Sequence, residues 1–309
     1  MMIGCPGFKA PKSDPTLPNP HRIVRKGFFR RKSDSRWIQR FLCRTCGKQF
    51  SRSTFSPRYY QKLRRINSPL YRLLTSGVSQ TRAALILKVD PKTIARRFVF
   101  LANEARKSQE RYLAHLPVEA MKAIQFDDLE SSIHTKCKPV SVALAVEPKY
   151  RKILNFQVNQ MPAKGPLAKF ARAKYGIRKD HRKRGWDALF KHIRPLLAPD
   201  CEVTSDENPH YPPWIQRHLP TGTHVRIPGG RGAITGQGEL RDKRFDPMFA
   251  LNHTCAMFRA NINRLFRRTW CTSKKIERLR DHIALYVDFH NRVLTDPYPL
   301  GSYPVLGGS

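Results

Sequence analysis

Ala123-Ile124-Gln125-Phe126-Asp127-Asp128-Leu129-Glu130 opens as an apolar run of strand character and stops on acidic residues. In a chain with 58 Lys+Arg against 23 Asp+Glu, a tight acidic group at a strand end runs against the charge balance. A divalent cation is the natural compensation: hard Mg²⁺ takes one or two carboxylates together with phosphate oxygens, and a pair of such ions can clamp the attacking and leaving oxygens of a phosphoryl transfer. The bland alternative is two solvated acids beginning a turn.

The 309 residues suffice for two or three domains, and 40% hydrophobic residues can bury a core. The formal charge of +35 points to a polyanionic partner, since each neutralised phosphate releases counterions. No apolar run approaches the roughly 18 to 20 residues that span a bilayer. The opening Met1-Met2-Ile3-Gly4-Cys5-Pro6 lacks the charged-then-apolar pattern of a signal peptide, so the expected location is a bacterium-like cytoplasm, on the nucleoid. Seven unevenly placed cysteines suit metal ligation and buried thiols better than a disulfide framework.

Residues 1–57 carry Cys43-Arg44-Thr45-Cys46-Gly47-Lys48-Gln49-Phe50, the knuckle pattern of a zinc ribbon. Two thiolates from one tight turn can share a tetrahedral ion, with Gly47 relaxing the backbone and Phe50 covering the site. Cys5 supplies a third ligand. Phe8 stands where a second Cys-x-x-Cys would end, so His21, after a Pro-rich loop, is the best replacement, giving Cys5, His21, Cys43 and Cys46. A different fourth ligand, or a ribbon without metal, are the other readings. Residues 22–32 and 36–42 read as a hairpin of alternating basic and aromatic residues that could touch phosphates or pack within the ribbon.

Residues 58–118 predict a helix-turn-helix domain and linker. Ser68-Pro69 opens a helix that stops at Gly77, Ser79 caps a second, and Asp90-Pro91 starts a third after a tight turn. Lys92, Thr93, Arg96 and Arg97 form that last helix's exposed side, offered to the major groove of double-stranded DNA. A generic three-helix unit with a solvated basic face is the alternative. Residues 102–118 read as the helix end and a linker.

Residues 119–292 predict an α/β core with a mixed sheet. Pro139–Val146 and Lys152–Val158 read as strands joined by a turn at 147–150, a basic helix-rich stretch includes an amphipathic helix over Trp186–Leu197, and Glu202–Asp206 is a strand ending on a second acid. Three antiparallel strands, a helix and a fourth strand, with acids ending the first and fourth, give a ribonuclease-H-like arrangement that sets Asp127 beside Asp206. A last helix over Lys275–His290 packs an apolar stripe on the core, Cys137, Cys201, Cys255 and Cys271 read as buried thiols, and residues 293–309 are a loose tail.

Phe126-Asp127-Asp128, then Val203-Thr204-Ser205-Asp206 with Tyr211 shortly after, then Arg264-Leu265-Phe266-Arg267-Arg268-Thr269-Trp270-Cys271-Thr272-Ser273-Lys274, resemble bacterial insertion-sequence transposases of the zinc-ribbon, helix-turn-helix, Asp-Asp-Glu type, the first-numbered insertion-sequence family and its relatives. The resemblance covers nearly the whole chain in order. It implies a late helix carrying a third metal ligand, a basic residue seven positions on, and an Arg-Leu-x-Arg run beginning twelve positions after the ligand. Counted back from Arg264, these fall on Asn252 and Arg259. Asn stands where the commonest pattern has Glu; its amide oxygen can still meet a hard cation, but it brings no charge and cannot act as a base. Other readings of Asn252 are a helix cap or a satisfied polar contact. Glu239 and Asp246 are rival ligands within or beside a Gly-rich basic loop.

The resemblance therefore implies a DNA transposase that cuts element ends and joins the freed 3′ hydroxyl to target DNA. Asp127, Asp206 and Asn252 would hold Mg²⁺ or Mn²⁺, Arg259 would touch a phosphate, and Zn²⁺ would be structural. Two ends must meet, so at least a dimer on DNA is expected. A transposase-derived DNA-binding protein without chemistry is the second reading. A nuclease acting on RNA or branched DNA is the third, disfavoured by a motif that reads duplex grooves.

Overall fold

A computed structural model describes residues 5–7, 22–32, 35–228, 246–266 and 271–295. His21, Glu239, the Gly-rich loop over 229–238, residues 267–270 and the tail from 296 onward lie outside the described residues. The chain divides into two compact units, Met1–Ile66 and Asn67–Ser309.

The first unit is a small antiparallel sheet of β1 (Ile23–Arg30), β2 (Trp37–Cys43) and β3 (Gln49–Phe50), in that order. Its ladder slips between Arg25 and Phe28, where Gly27 adopts φ +60, a bulge that glycine accommodates without strain. So small a sheet has little to bury. Cys5, Phe41, Cys43 and Phe50 make up its core, with the two phenylalanine rings stacked 5.8 Å apart.

The second unit begins with α1 (Asn67–Thr75), α2 (Gln80–Leu87) and α3 (Pro91–Ala114). Ser79 Oγ accepts from Arg82 N and Asp90 Oδ1 from Lys92 N, so both expected caps satisfy helix-start donors. Lys88, at φ 52, reverses the chain between α2 and α3. Within 102–118, read as the helix end and a linker, α3 continues to Ala114. Its buried stripe runs on through Leu101, Ala102, Ala105 and Leu113. Its polar residues, which look solvent-facing in sequence, bind the C-terminal helix α8 (Ile276–Phe289) and the turn after it: Arg106 pairs with Asp281, Ser108 accepts from Arg292, and Gln109 accepts from Asn291. Further down the same seam Tyr71 donates to Asp288 at 2.7 Å, and His282 bonds the carbonyl of Leu74.

A five-stranded sheet follows: β4 (Met121–Ser132), β5 (Pro139–Val146), β6 (Ile153–Gln160), β7 (Leu197–Asp206) and β8 (Thr223–Ile227), ordered β6-β5-β4-β7-β8. β4, β5 and β6 are mutually antiparallel, while β7 runs parallel to β4 and β8 parallel to β7. The core is thus α/β with a mixed sheet, as the sequence implied, with one more strand than expected. On one face Ile124, Phe126 and Val203 meet α5 (Arg182–Ile193) and α6 (Pro212–His218). On the other, Leu129, Val142 and Leu144 meet α7 (Phe249–Asn261) and α8. Between β6 and α5 lies α4 (Leu167–Tyr175).

Three expectations need correction. The strand expected to stop at Asp127-Asp128 continues to Ser132, because β5 pairs with it as far as Ser132↔Pro139. The helix expected over 186–197 ends at Ile193; a tight turn follows, and β7 already begins at Leu197. Pro199, which cannot donate to a ladder, sits where the register jumps from Met121↔Leu197 to Ala123↔Glu202. Cys271 is exposed, while Cys137 and Cys201 are buried and Cys255 is partly so.

The outer edge of β6 is closed by side chains and loop backbone. Asn291 Oδ1 accepts from Ile153 N while its Nδ2 donates to Ile153 O, Arg280 donates to Val158 O, and His181 N donates to Gln160 O. Asn291 also donates to Gln109, joining sheet edge, α3 and the end of α8. Asn291→Ala strands several buried polar groups at once and is expected to cost about 3 kcal/mol. A urea midpoint equal to that of the parent chain would show that the plug contributes nothing.

Candidate functional site

Neighbouring residues of a strand point to opposite faces of its sheet, so Asp127 and Asp128 cannot serve one site together. Asp128 faces α5, where Trp186 Nε1 donates to both its oxygens at 3.0 and 3.2 Å. Burial raises its pKa, opposed in part by that indole. Asp128 is occupied in holding a buried tryptophan.

Asp127 lies on the other face, the one toward α7. The β4–β7 ladder ends at Gln125↔Thr204, so Asp127 and Asp206 each stand two residues past the last pair and are level with one another. In a parallel pair, level residues share a face. Burial, then the negative charge of Asp206, pushes the Asp127 pKa from 3.8 to about 7. Tyr211, its ring buried in the cluster on the α5 side, donates its hydroxyl to Asp127 Oδ1 at 3.0 Å. Asp128 N donates to the same oxygen at 2.7 Å. Burial and then the surrounding carboxylates drive the Tyr211 hydroxyl far above its ordinary pKa, so it stays a donor. Asp206 Oδ1 accepts from Asn208 N, fixing the turn that carries the chain away.

Helix α7 lies against this pair. Gln125, buried just before Asp127, donates to Pro247 O and accepts from Leu251 N, which pins the start of α7 to β4. Cys255 lies near Asp127. Burial, then the charge of Asp127, pushes its thiol up to about 12, with Arg259 opposing. This residue was missed in sequence because a single cysteine without paired spacing carries no signal. Asn252 is one turn before Cys255 and Arg259 one turn after, so the three share a stripe. The Asn252 side chain is exposed and its amide nitrogen donates to Asp246 Oδ2 at 2.9 Å. Asp246 Oδ1 accepts from Met248 N, so this rival ligand is engaged in starting α7. His253 turns aside, against Arg151 and the ring of Phe249.

Of the residues expected to face a groove, Lys92 and Arg96 are exposed on the first turns of α3, and Thr93 and Arg97 are half-buried beside them. In the first unit the sulfurs of Cys5, Cys43 and Cys46 all lie within 4.8 Å of one another. Gly7 N donates to Cys5 Sγ, Gly47 turns at φ +70, and its N–H bonds the carbonyl of Cys43. Two soft sulfur donors from one tight turn and a third from Cys5, with Phe50 packed among them, suit Zn²⁺. The expected fourth ligand, His21, is outside the described residues.

No family model and no curated protein matches this chain. Among solved structures, a chain of the simian T-cell lymphotropic virus intasome in complex with PP2A regulatory subunit B56 gamma aligns over 70% of this chain and 72% of that one, at 16% identity and a TM-score of 0.24. A superposition that loose does not amount to a shared fold. No described helix is long and apolar enough to cross a membrane.

Two outcomes are expected. The pKa of Asp127 is raised on folding, so its contribution to stability is complete below about pH 4 and is lost as pH climbs through about 7, by at most about 4 kcal/mol. Metal-free stability should fall over that range, and Asp127→Asn should flatten the fall; equal slopes in parent and variant would exclude strain at this carboxylate. Purified protein should also hold about one zinc per chain, and Cys43→Ser should release it. Equal metal content in the two, by atomic absorption, would rule out the thiol site.

Proposed function

We propose that this chain is a DNA transposase, with a zinc-ribbon domain over 1–57, a helix-turn-helix over 58–118 and a ribonuclease-H-like core over 119–292. The reading is carried by one observation: Asp127 and Asp206 stand level on adjacent parallel strands, where burial, and then the charge of Asp206, raises the Asp127 pKa to about 7. Three antiparallel strands, then a helix, then a strand parallel to the first is the arrangement expected of such a core.

The donor set suits a hard cation. Two carboxylates repel one another in a partly buried place, and Tyr211 and Asp128 N orient Asp127 without neutralising it. Asp127 and Asp206 would hold Mg²⁺ or Mn²⁺, and Asn252 could add an amide oxygen, since its nitrogen is turned to Asp246. Bound there, the ion would supply Lewis-acid activation of water and then of a 3′ hydroxyl, with stabilisation of the leaving oxygen. The chain's own part is positional. Gln125 locks α7 to the strand, Arg259 faces a phosphate, and Lys92, Thr93, Arg96 and Arg97 track duplex DNA at the terminal repeats. Two DNA ends call for at least two copies.

A second reading has a specific observation behind it. Asn252 is neutral and bonded to Asp246, and a thiol of α7, Cys255, lies within the field of Asp127, which would leave a transposase-derived DNA-binding protein without chemistry. Supercoiled-plasmid nicking with Mg²⁺ or Mn²⁺ separates the two. Nicking is expected from the parent chain and its loss from Asp127→Asn or Asp206→Asn, with DNA binding retained. Asn252→Glu should raise metal-dependent nicking where Asn252 is a ligand. A parent chain that binds DNA and never nicks it would favour the second reading.

A further inference from the structure

Between β6 and α5 the chain leaves the core for about twenty residues, and α4 lies there burying only Ala171. A helix held by one alanine was not selected to fill a core. Its exposed residues include Lys169, Arg172 and Lys174, none of which has an ion-pair partner among the described residues. Set among them is Phe170, 55% exposed, and just beyond is Ile177, 80% exposed. Lys174 Nζ stands over the Phe170 ring, 5.7 Å from its centre, so a cation lies close to an aromatic that is still more than half exposed. A purely solvated basic helix has no use for an open aromatic.

The arm is moored to the end of the β4–β5 hairpin, at a residue on the sheet face that carries Asp128. Lys164 pairs with Glu130 at 2.8 Å, on the same strand as Asp127. Arg178 donates to Pro139 O at the start of β5, and Lys138 sits 4.3 Å over the Tyr175 ring. Three contacts thus fix α4 to the end of the β4–β5 hairpin that extends past the aspartates.

We propose that α4 is a second nucleic-acid contact that receives an unpaired strand end of DNA, with Phe170 stacking on a base and Lys169 and Lys174 meeting the flanking phosphates. Open aromatics interleaved with cations are how sequence-tolerant single-strand binding is built, whereas duplex DNA hides its base faces. The inference rests on the transposase reading for its substrate, yet binding can be measured without any cutting.

The test uses the full chain in EDTA, with a flush DNA duplex and the same duplex carrying a frayed, unpaired end. Phe170→Ala should weaken binding to the frayed end about tenfold and leave the flush duplex nearly unchanged. Phe170→Trp should restore it. The Lys169→Ala, Lys174→Ala double variant should weaken both DNAs and lower the slope of log affinity against log salt by about two. Phe170 is exposed, and an unaltered circular dichroism spectrum would show that folding is intact. Equal loss on flush and frayed DNA, no loss on either, or tighter binding to RNA of the same sequence would each overturn the proposal. A chain that passes this test and does not nick plasmid would leave the arm standing and remove the transposase reading.

Discussion

The second unit is organised around a repulsion. Two aspartates sit side by side where a parallel ladder comes to an end, and burial keeps water from screening them fully. A protein that needed only stability would place an apolar pair there, as it does three residues earlier with Ile124 against Val203. Instead, the surroundings hold the conflict in place. Tyr211 gives Asp127 a donor that cannot easily ionise, Gln125 ties down the helix that lies opposite, and the turn after Asp206 is fixed by Asn208. Polar groups of this kind orient a carboxylate while leaving its charge to be met by something else.

The other organising feature is the seam between α3 and α8. Buried polar groups there are expensive when unpartnered and specifying when paired. Arg106 with Asp281, Tyr71 of α1 with Asp288, and Asn291 with both Gln109 and the β6 backbone tie α1 and α3 to α8 and the sheet. His282, fully enclosed and bonded to Leu74 O, is pushed down to about 4 by burial and stays neutral. The first turns of α3, with exposed Lys92 and Arg96, therefore belong to a continuous helix of 24 residues whose later turns are bonded to α8.

Local signals carried much of this fold in the sequence. Ser79 and Asp90 marked helix starts through the donors they satisfy and Pro91 through its preset φ, and Pro139–Val146 was legible as a strand from its apolar run. Cys43, Cys46 and Gly47 announced the thiol cluster because a shared ion demands that turn. Long-range facts were not legible. That Asp128 serves Trp186 while Asp127 meets Asp206 depends on which face each helix covers, and two adjacent acids look alike in a string of letters. The length of α3 was hidden because Arg106, Ser108 and Gln109 read as solvent-facing until α8 is placed against them. β8 was missed because His224 and Arg226 dilute a five-residue strand to the look of a loop. The place of Cys255 beside Asp127 follows only from the anchoring of α7 by Gln125.

The sealed margin of β6 bears on how copies of this chain can meet. An unguarded outer strand invites a neighbour to continue the sheet, the commonest route to unplanned fibrils and swapped pairs. Here Asn291, Arg280 and the backbone of His181 already occupy Ile153 N and O, Val158 O and Gln160 O, groups such a guest would need. Self-assembly by strand addition is thereby denied along that side. Copies gathered on a shared polyanion can crowd together there without merging into one continuous sheet.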